Sequence, residues 1–285
     1  MSPDEPQVVA DLRRRAQRLQ TPCGTGQLTW HVWGSGQIVV LLHGGYGSWT
    51  HWIRNIDFLA ERYAVLVPDL PGMGESALPP EPYTAVSLAA ILARGLEQLG
   101  APSDTYDLVG FSFGAVLGGP LATVERARVR SFTIVGGSGL GPLRPPIPLR
   151  PWRHLQERCE REAVHHSNLA ALMIADRARI DPLAVWLQTD NTSRARIKSR
   201  PIARTSVLAD TLPGVLAPIN AIYGERDATA YPHVAERRRQ LRELRPDVVF
   251  RTIPDAGHWV QYEAASAFNE ELFHLLTTRN SEDSR

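Results

Sequence analysis

Short runs of apolar residues recur along the chain, each stopped by glycine or proline. Leu28 to Trp33 alternates weakly and predicts an early strand, closed by Gly34-Ser35-Gly36. Continuous apolar runs follow at Ile38 to Leu42, Tyr63 to Val67, Tyr106 to Val109, Ser131 to Val135, Ile219 to Tyr223 and Val248 to Ile253. Unbroken runs of this length are what strands need when both faces of a parallel sheet are covered. Helical patterns separate most of them: His51 to Glu61, Ala85 to Leu99, Phe113 to Glu125, Pro232 to Leu244 and Ala264 to Thr277. Strand–helix alternation predicts an α/β sheet, whose ligands sit at the carboxyl ends of the strands.

One interval breaks the rhythm. Between Gly137 and Pro218 no strand pattern occurs. The stretch opens with Gly139 to Pro151, rich in Gly and Pro, and continues with helical patterns near Trp152–Ser167, Asn168–Arg179 and Pro182–Gln188. It is too long for a plain loop and predicts a helical subdomain. Residues 1–20 read as a polar leader with room for one short helix.

Composition narrows the function classes. The 285 residues carry 31 basic and 30 acidic side chains, a net charge of +1, so no global field favours nucleic acid or an anionic membrane. The arginine runs Arg13 to Arg15 and Arg237 to Arg239 fall in polar, helical-looking stretches and read as solvated helix faces. Cys23 and Cys159 form neither a disulfide framework nor a metal-binding spacing. The first residues lack the apolar core of a signal peptide, and no window has the roughly 18 apolar residues of a membrane helix. The expectation is a soluble, cytoplasmic protein with no metal and no cofactor, acting on a small molecule. Neither nucleic acid nor membrane is expected as a partner, and a homo-oligomer is left open.

Gly110-Phe111-Ser112-Phe113-Gly114 follows an apolar run and precedes a helical pattern. That is G-x-S-x-G in the context it requires: a serine on a sharp strand-to-helix turn, flanked by residues small enough to allow the bend. The helix N-terminus then offers free N–H groups to a developing oxyanion. A serine hydroxyl is a poor nucleophile at neutral pH and needs a base. Of the nine histidines, His258 follows the last strand, where a loop carries it to the carboxyl edge of the sheet. Asp227, in the loop after Ile219 to Tyr223, is the expected acid, in the chain order Ser, Asp, His. Glu225 and Asp255 are its neighbours and competitors, and Gly137 to Leu143 contains no carboxylate that could substitute. His43-Gly44-Gly45-Tyr46-Gly47 leaves the first strong strand; its glycines let backbone approach a ligand. The N–H of Gly45, or that of Tyr46, is expected to form an oxyanion hole with the N–H of Phe113.

As a set, His43-Gly44-Gly45, Pro68 to Ser76 (PDLPGMGES), Gly110 to Gly114, Gly224 to Asp227 and Gly257-His258-Trp259 resemble the α/β-hydrolase superfamily over about Ile38 to Leu276. The resemblance implies a mostly parallel, eight-stranded sheet with helices on both faces. It further implies a core at 21–139 and 213–285 and a helical cap at 140–212. Within the superfamily the chain looks most like the meta-cleavage product hydrolases, which cleave carbon–carbon bonds in vinylogous diketo acids. Trp49 with Arg54-Asn55, Val135 to Pro142, and Gly257 to Glu263 carry that likeness. It implies a cap arginine, Arg194 or Arg196, for a substrate carboxylate, and Gly44, Tyr46, His51, Phe111 and Trp259 as further pocket positions. Trp49 and Trp259 fit pocket walls or core equally. Two positions depart from that pattern: Phe111 and His51 stand where those enzymes carry asparagine, which sets an ester or lactone substrate beside the C–C bond. Ser112 in place of a carboxylate argues against dehalogenase and epoxide hydrolase chemistry. The function expected is a serine hydrolase working through an acyl-enzyme; the alternatives are a cofactor-free perhydrolase and a non-catalytic ligand receptor on the same scaffold.

Overall fold

The structure is a computed structural model and describes residues 5–100, 104–141 and 147–278. Eight strands form one sheet: β1 (Gln17–Cys23), β2 (Gly26–Trp33), β3 (Gln37–Leu42), β4 (Tyr63–Pro68), β5 (Tyr106–Phe111), β6 (Val129–Val135), β7 (Ile219–Gly224) and β8 (Val249–Ile253). Their spatial order is β1-β2-β4-β3-β5-β6-β7-β8. β2 runs antiparallel to both its neighbours, and every pairing from β4 to β8 is parallel.

The strands alternate between two cores, as a period of two residues dictates. Val40, Leu42, Leu66, Leu108 and Ile134 face one side. They pack there against α3 (Ala85–Leu99), α4 (Phe113–Val124) and α9 (Val234–Leu244). Val39, Leu41, Val65, Val67, Val109 and Val135 face the other. Their partners are α1 (Gln7–Arg15), α2 (Ile56–Ala60) and α11 (Ala265–Thr277). The remaining helices are α5 (Arg158–Asn168), α6 (Pro182–Arg194), α7 (Ser199–Ala203) and α8 (Val207–Thr211), all between β6 and β7, and α10 (Val260–Glu263) just before α11.

The first twenty residues are not only a leader. Gln17 to Gln20 begin edge strand β1, paired with β2 from Gln17↔Val32 to Cys23↔Gly26. Its exposed, polar outer positions hide it from a search for apolar runs, and an edge strand needs only one buried face. In the Gly- and Pro-rich opening at Gly139 to Pro151, residues 142–146 lie outside the described residues, and with them Pro142 at the end of the Val135 to Pro142 stretch.

The order reverses at β3, which has β4 on one side and β5 on the other, so the loops leaving β3 and β5 diverge and open a crevice. His43 locks the β3 side of it. Its Nε2 accepts the Leu70 N–H at 2.8 Å and its Nδ1–H donates to Gly44 O at 2.8 Å, which fixes one neutral tautomer. Asp69, next to Leu70, accepts the Trp49 and Glu75 N–H groups at 2.8 Å each. The loops after β3 and β4 are thereby tied together.

Burial pushes His43 down to about 4 from its usual 6.5, although Asp69 and Gly44 O pull the other way. The unfolded chain therefore takes up a proton at this site from about pH 6.5, whereas the folded chain resists until about pH 4. Stability conferred by the neutral ring is complete above pH 6.5 and is lost on acidification through that window, by up to about 1.4 kcal/mol per pH unit. Urea unfolding from pH 7 to 4.5 should show a shallower pH slope for His43→Gln than for the wild type. Equal slopes would remove His43 as the cause.

Candidate active site

Ser112 sits between β5 and α4 with φ +52° and ψ −107°, a conformation rare outside glycine. Strain of this kind costs about 1–3 kcal/mol and must be held by its surroundings. The Ser112 N–H donates to Val135 O at 2.8 Å, and Ser112 O accepts from Ala115 N–H at 3.1 Å. Gly114 is required by the same bend: a Cβ there would lie 2.3 Å from Leu42 O.

The loop after β8 brings His258 to this turn. Its Nε2 lies 2.9 Å from Ser112 Oγ, and its Nδ1 lies 2.9 Å from both Asp227 oxygens. A carboxylate only accepts, so the ring proton is on Nδ1 and Nε2 is left to accept the serine proton. Asp227 has no exposed surface and also accepts the Thr229 N–H at 2.8 Å. Burial alone would raise its carboxyl; the charge and hydrogen bond of His258, with Thr229, outweigh that and hold it below the usual carboxylate range. The competitors are placed elsewhere: Glu225 accepts the N–H of Asp255 at 3.2 Å, bracing the histidine loop. Gly136, at the end of β6 with φ +52°, leaves room for the pair; a Cβ there would lie 3.1 Å from both Asp227 Oδ2 and His258 Nδ1.

The glycine loop after β3 lies alongside. Gly47 N–H closes onto Gly44 O at 3.2 Å, with Tyr46 at φ +57° between them. The Gly44 N–H is directed at His51 Nδ1, 3.2 Å away, which leaves the His51 proton on Nε2. Burial, then the neighbouring His43 and His258, holds His51 neutral, well below its usual range. A Cβ on Gly45 would come within 3.5 Å of Phe113 Cβ and 2.3 Å of Ser199 Oγ, so Gly45 and Phe113 meet at one rim.

A cavity of about 460 Å³ opens over Ser112 and His258. Gly44, Tyr46, His51 and Phe111, expected at the pocket, line it, as do Gly45 and Phe113, expected at the oxyanion hole. Arg194, Arg196 and Trp259, also expected there, are not among the lining residues. Arg194 turns along its own helix to Asp190, 3.0 Å away. Arg196 bonds Ser76 O, and its N–H donates to Gly72 O at 2.8 Å, pinning the loop after β4. Trp259 is fully buried, stacks on Tyr262 with centroids 4.2 Å apart and donates its Nε1–H to His51 O at 2.9 Å; it supports the wall from behind. Trp49 is likewise core, packed on His31 and Trp33.

The arginines that do line the cavity are Arg150, Arg153 and Arg200, with no carboxylate among the lining residues. Arg150 and Arg153 flank Pro151-Trp152 in an irregular segment, where no periodicity marks which side chains point inward. Ser138 was also missed; its hydroxyl is buried at the cavity and has no hydrogen-bond partner among the described residues. It lies within the Val135 to Pro142 stretch that drew attention only as a motif.

Comparison with known proteins gives the chain its family and relatives of the same fold. The chain is 27% identical over 251 residues to the dihydrolipoyllysine-residue acetyltransferase component of the acetoin cleaving system of Cupriavidus necator, a match covering 84% of this chain and 63% of that protein, less than two thirds of its length. It is 26% identical over 258 residues to 2-hydroxy-6-oxo-6-phenylhexa-2,4-dienoate hydrolase of Burkholderia cepacia, covering 85% of this chain and 88% of that one. Its fold matches that of a malate-bound thermophilic esterase from Thermogutta terrifontis with a TM-score of 0.71 at 24% identity, over 92% of this chain and 99% of the other. Residues 39–271, most of the sheet and the whole of the site, match a single family description. By that match and by its sheet, the chain belongs to the Alpha/beta hydrolase family.

Proposed function

We propose that the chain is a serine hydrolase that cleaves a carbonyl substrate through an acyl-enzyme, of the carboxylesterase or meta-cleavage product hydrolase type. The observation that carries this is the unbroken line Ser112 Oγ, His258 Nε2, His258 Nδ1, Asp227, with 2.9 Å at each junction. His258 takes the Ser112 proton as Oγ attacks the carbonyl carbon. The N–H groups of Phe113 and Gly45 receive the charge that develops on the oxygen. His258 returns the proton to the leaving group, then activates water to release the acid. For a C–C substrate, ketonisation of the enol precedes attack and makes a carbanion able to leave. The helices between β6 and β7 act as the cap, closing the cavity with Arg150, Arg153, Leu172, Met173 and Arg200.

The lining favours one substrate feature. Three arginines without a carboxylate make the cavity a site of positive potential, suited to an acid group on the substrate. Arg200 also lies over the Tyr46 ring, 5.5 Å from its centroid, at the edge of the glycine loop. Phe111, fully buried and 5.0 Å from the His258 ring, makes the floor apolar where the C–C hydrolases carry an amide. That supports an ester with an apolar acyl portion and a carboxylate nearer the mouth.

A fluorophosphonate probe should label the wild type at Ser112 and not label Ser112→Ala, whose kcat on p-nitrophenyl esters should drop by about 10³-fold or more; equal labelling of both would refute the nucleophile. A side-by-side assay with a meta-cleavage product decides between ester and C–C bond. For esters that differ only by a carboxylate, Arg200→Gln and Arg150→Gln should each raise KM for the anionic one by about tenfold, roughly 1.4 kcal/mol, and leave the neutral one unchanged. Parallel rises for both esters would count against charge recognition.

A further inference from the structure

Glu263 is a buried carboxylate, 5% exposed, that takes no part in the chemistry above. Its Oε2 accepts the Gly257 N–H at 2.7 Å and the Ala175 N–H at 3.0 Å; its Oε1 accepts the Asp176 N–H at 2.8 Å. One of these donors immediately precedes His258. The other two belong to the helical insertion, just beyond Leu172 and Met173 of the cavity wall. A second strap lies on the other side of the histidine, where Trp259 N–H donates to Met173 O at 2.7 Å. His258 is thus flanked by two committed backbone N–H groups, one bonded to Glu263 and the other to Met173 of the pocket wall.

The local chain is built for this junction. The turn at Leu169–Met173 is π-helical, and the Ile174 N–H reaches back to Leu169 O at 2.9 Å. Met173 ends that turn, so its carbonyl meets no later helical N–H and is open to Trp259. Gly257 permits the close approach: a Cβ there would lie 2.7 Å from Ala175 N and 2.9 Å from Glu263 Oε2. The Arg179 guanidinium donates to Glu263 O at 3.1 Å, holding α10 at the same place. Burying a carboxylate is costly unless its oxygens are filled. Three N–H groups from two separate segments fill them, so the charge is stable only while the histidine loop and the insertion stay together.

We propose that Glu263 is a positioning residue, which sets His258 against the cavity wall by clamping the Gly257 peptide to Ala175 and Asp176. The inference rests on the serine hydrolase reading, because it supposes that His258 is the working base. With the clamp broken, His258 keeps Asp227 but loses its set relative to Ser112 and the bound acyl group. Proton transfer suffers while binding in the cavity is left nearly intact, since Glu263 is not among the cavity-lining residues.

The experiment uses the full chain, p-nitrophenyl acetate and a fluorophosphonate probe, with Glu263→Gln and Glu263→Ala. Glutamine keeps the volume and one acceptor oxygen but turns an amide NH₂ toward the remaining N–H donors. The expected result is a kcat about tenfold lower for Gln and about a hundredfold lower for Ala, with KM within about twofold for both. Near-UV circular dichroism should match the wild type, and partial rescue by glutamine should separate positioning from packing. Should the alanine variant fail to fold, the kcat-against-KM split in the glutamine variant decides alone. A folded glutamine variant with wild-type kcat overturns the inference, as does one in which only KM changes. If the wild type itself neither labels at Ser112 nor turns over the ester, the hydrolase reading fails first; a labelling, active wild type with an indifferent Glu263 sinks the clamp alone.

Discussion

A carboxylate with no exposed surface has to be held by its neighbours, and at this site that requirement gathers the other parts. Asp227 has given up water entirely, so its charge stands only because the His258 ring and the Thr229 N–H replace the lost hydration. An isolated buried charge would be too costly to keep. The imidazole that answers it comes from a loop 31 positions later, and that ring's far nitrogen is then committed to Ser112, 146 positions earlier. One electrostatic demand therefore brings the ends of β5, β7 and β8 to a common rim.

The convergence of Ser112, His258 and Asp227 was far more legible in the sequence than the pocket. Ser112, Asp227 and His258 each follow an apolar run that ends abruptly, and such runs are what a doubly covered parallel sheet forces on a chain. Their loops also carry small residues for a local reason, such as the closeness of Leu42 O to Gly114. The wall residues have no comparable signature. Arg194 occupies a regular helix, and on a helix surface a residue four positions back is a ready partner, which here is Asp190. Arg150 and Arg153 lie where backbone direction follows from packing, so nothing in their spacing tells which way they face. Strand β1 escaped for the opposite reason: an edge strand with one wet face looks polar throughout.

Neutral histidines make up much of the rim's framework. His43 and His51 are both enclosed, and each uses a ring nitrogen to accept a backbone N–H, from Leu70 and from Gly44. His43 also donates to Gly44 O and so spaces two main-chain segments, a role open to a ring with one donor and one acceptor nitrogen. The His51 ring meets Phe111 edge-on, with centroids 5.5 Å apart, and lies 5.1 Å from the Trp259 ring.

The point at which the insertion leaves the sheet has an evolutionary corollary. It departs after β6 and returns before β7, two neighbours already joined by their own ladder from Phe132↔Ile219 to Val135↔Ile222. Closing a loop between anchored ends costs little more as that loop lengthens. Residues can thus be gained, lost or exchanged across this excursion without disturbing strand pairing, provided that Met173, Ala175 and Asp176 keep their bonds to Trp259 and Glu263.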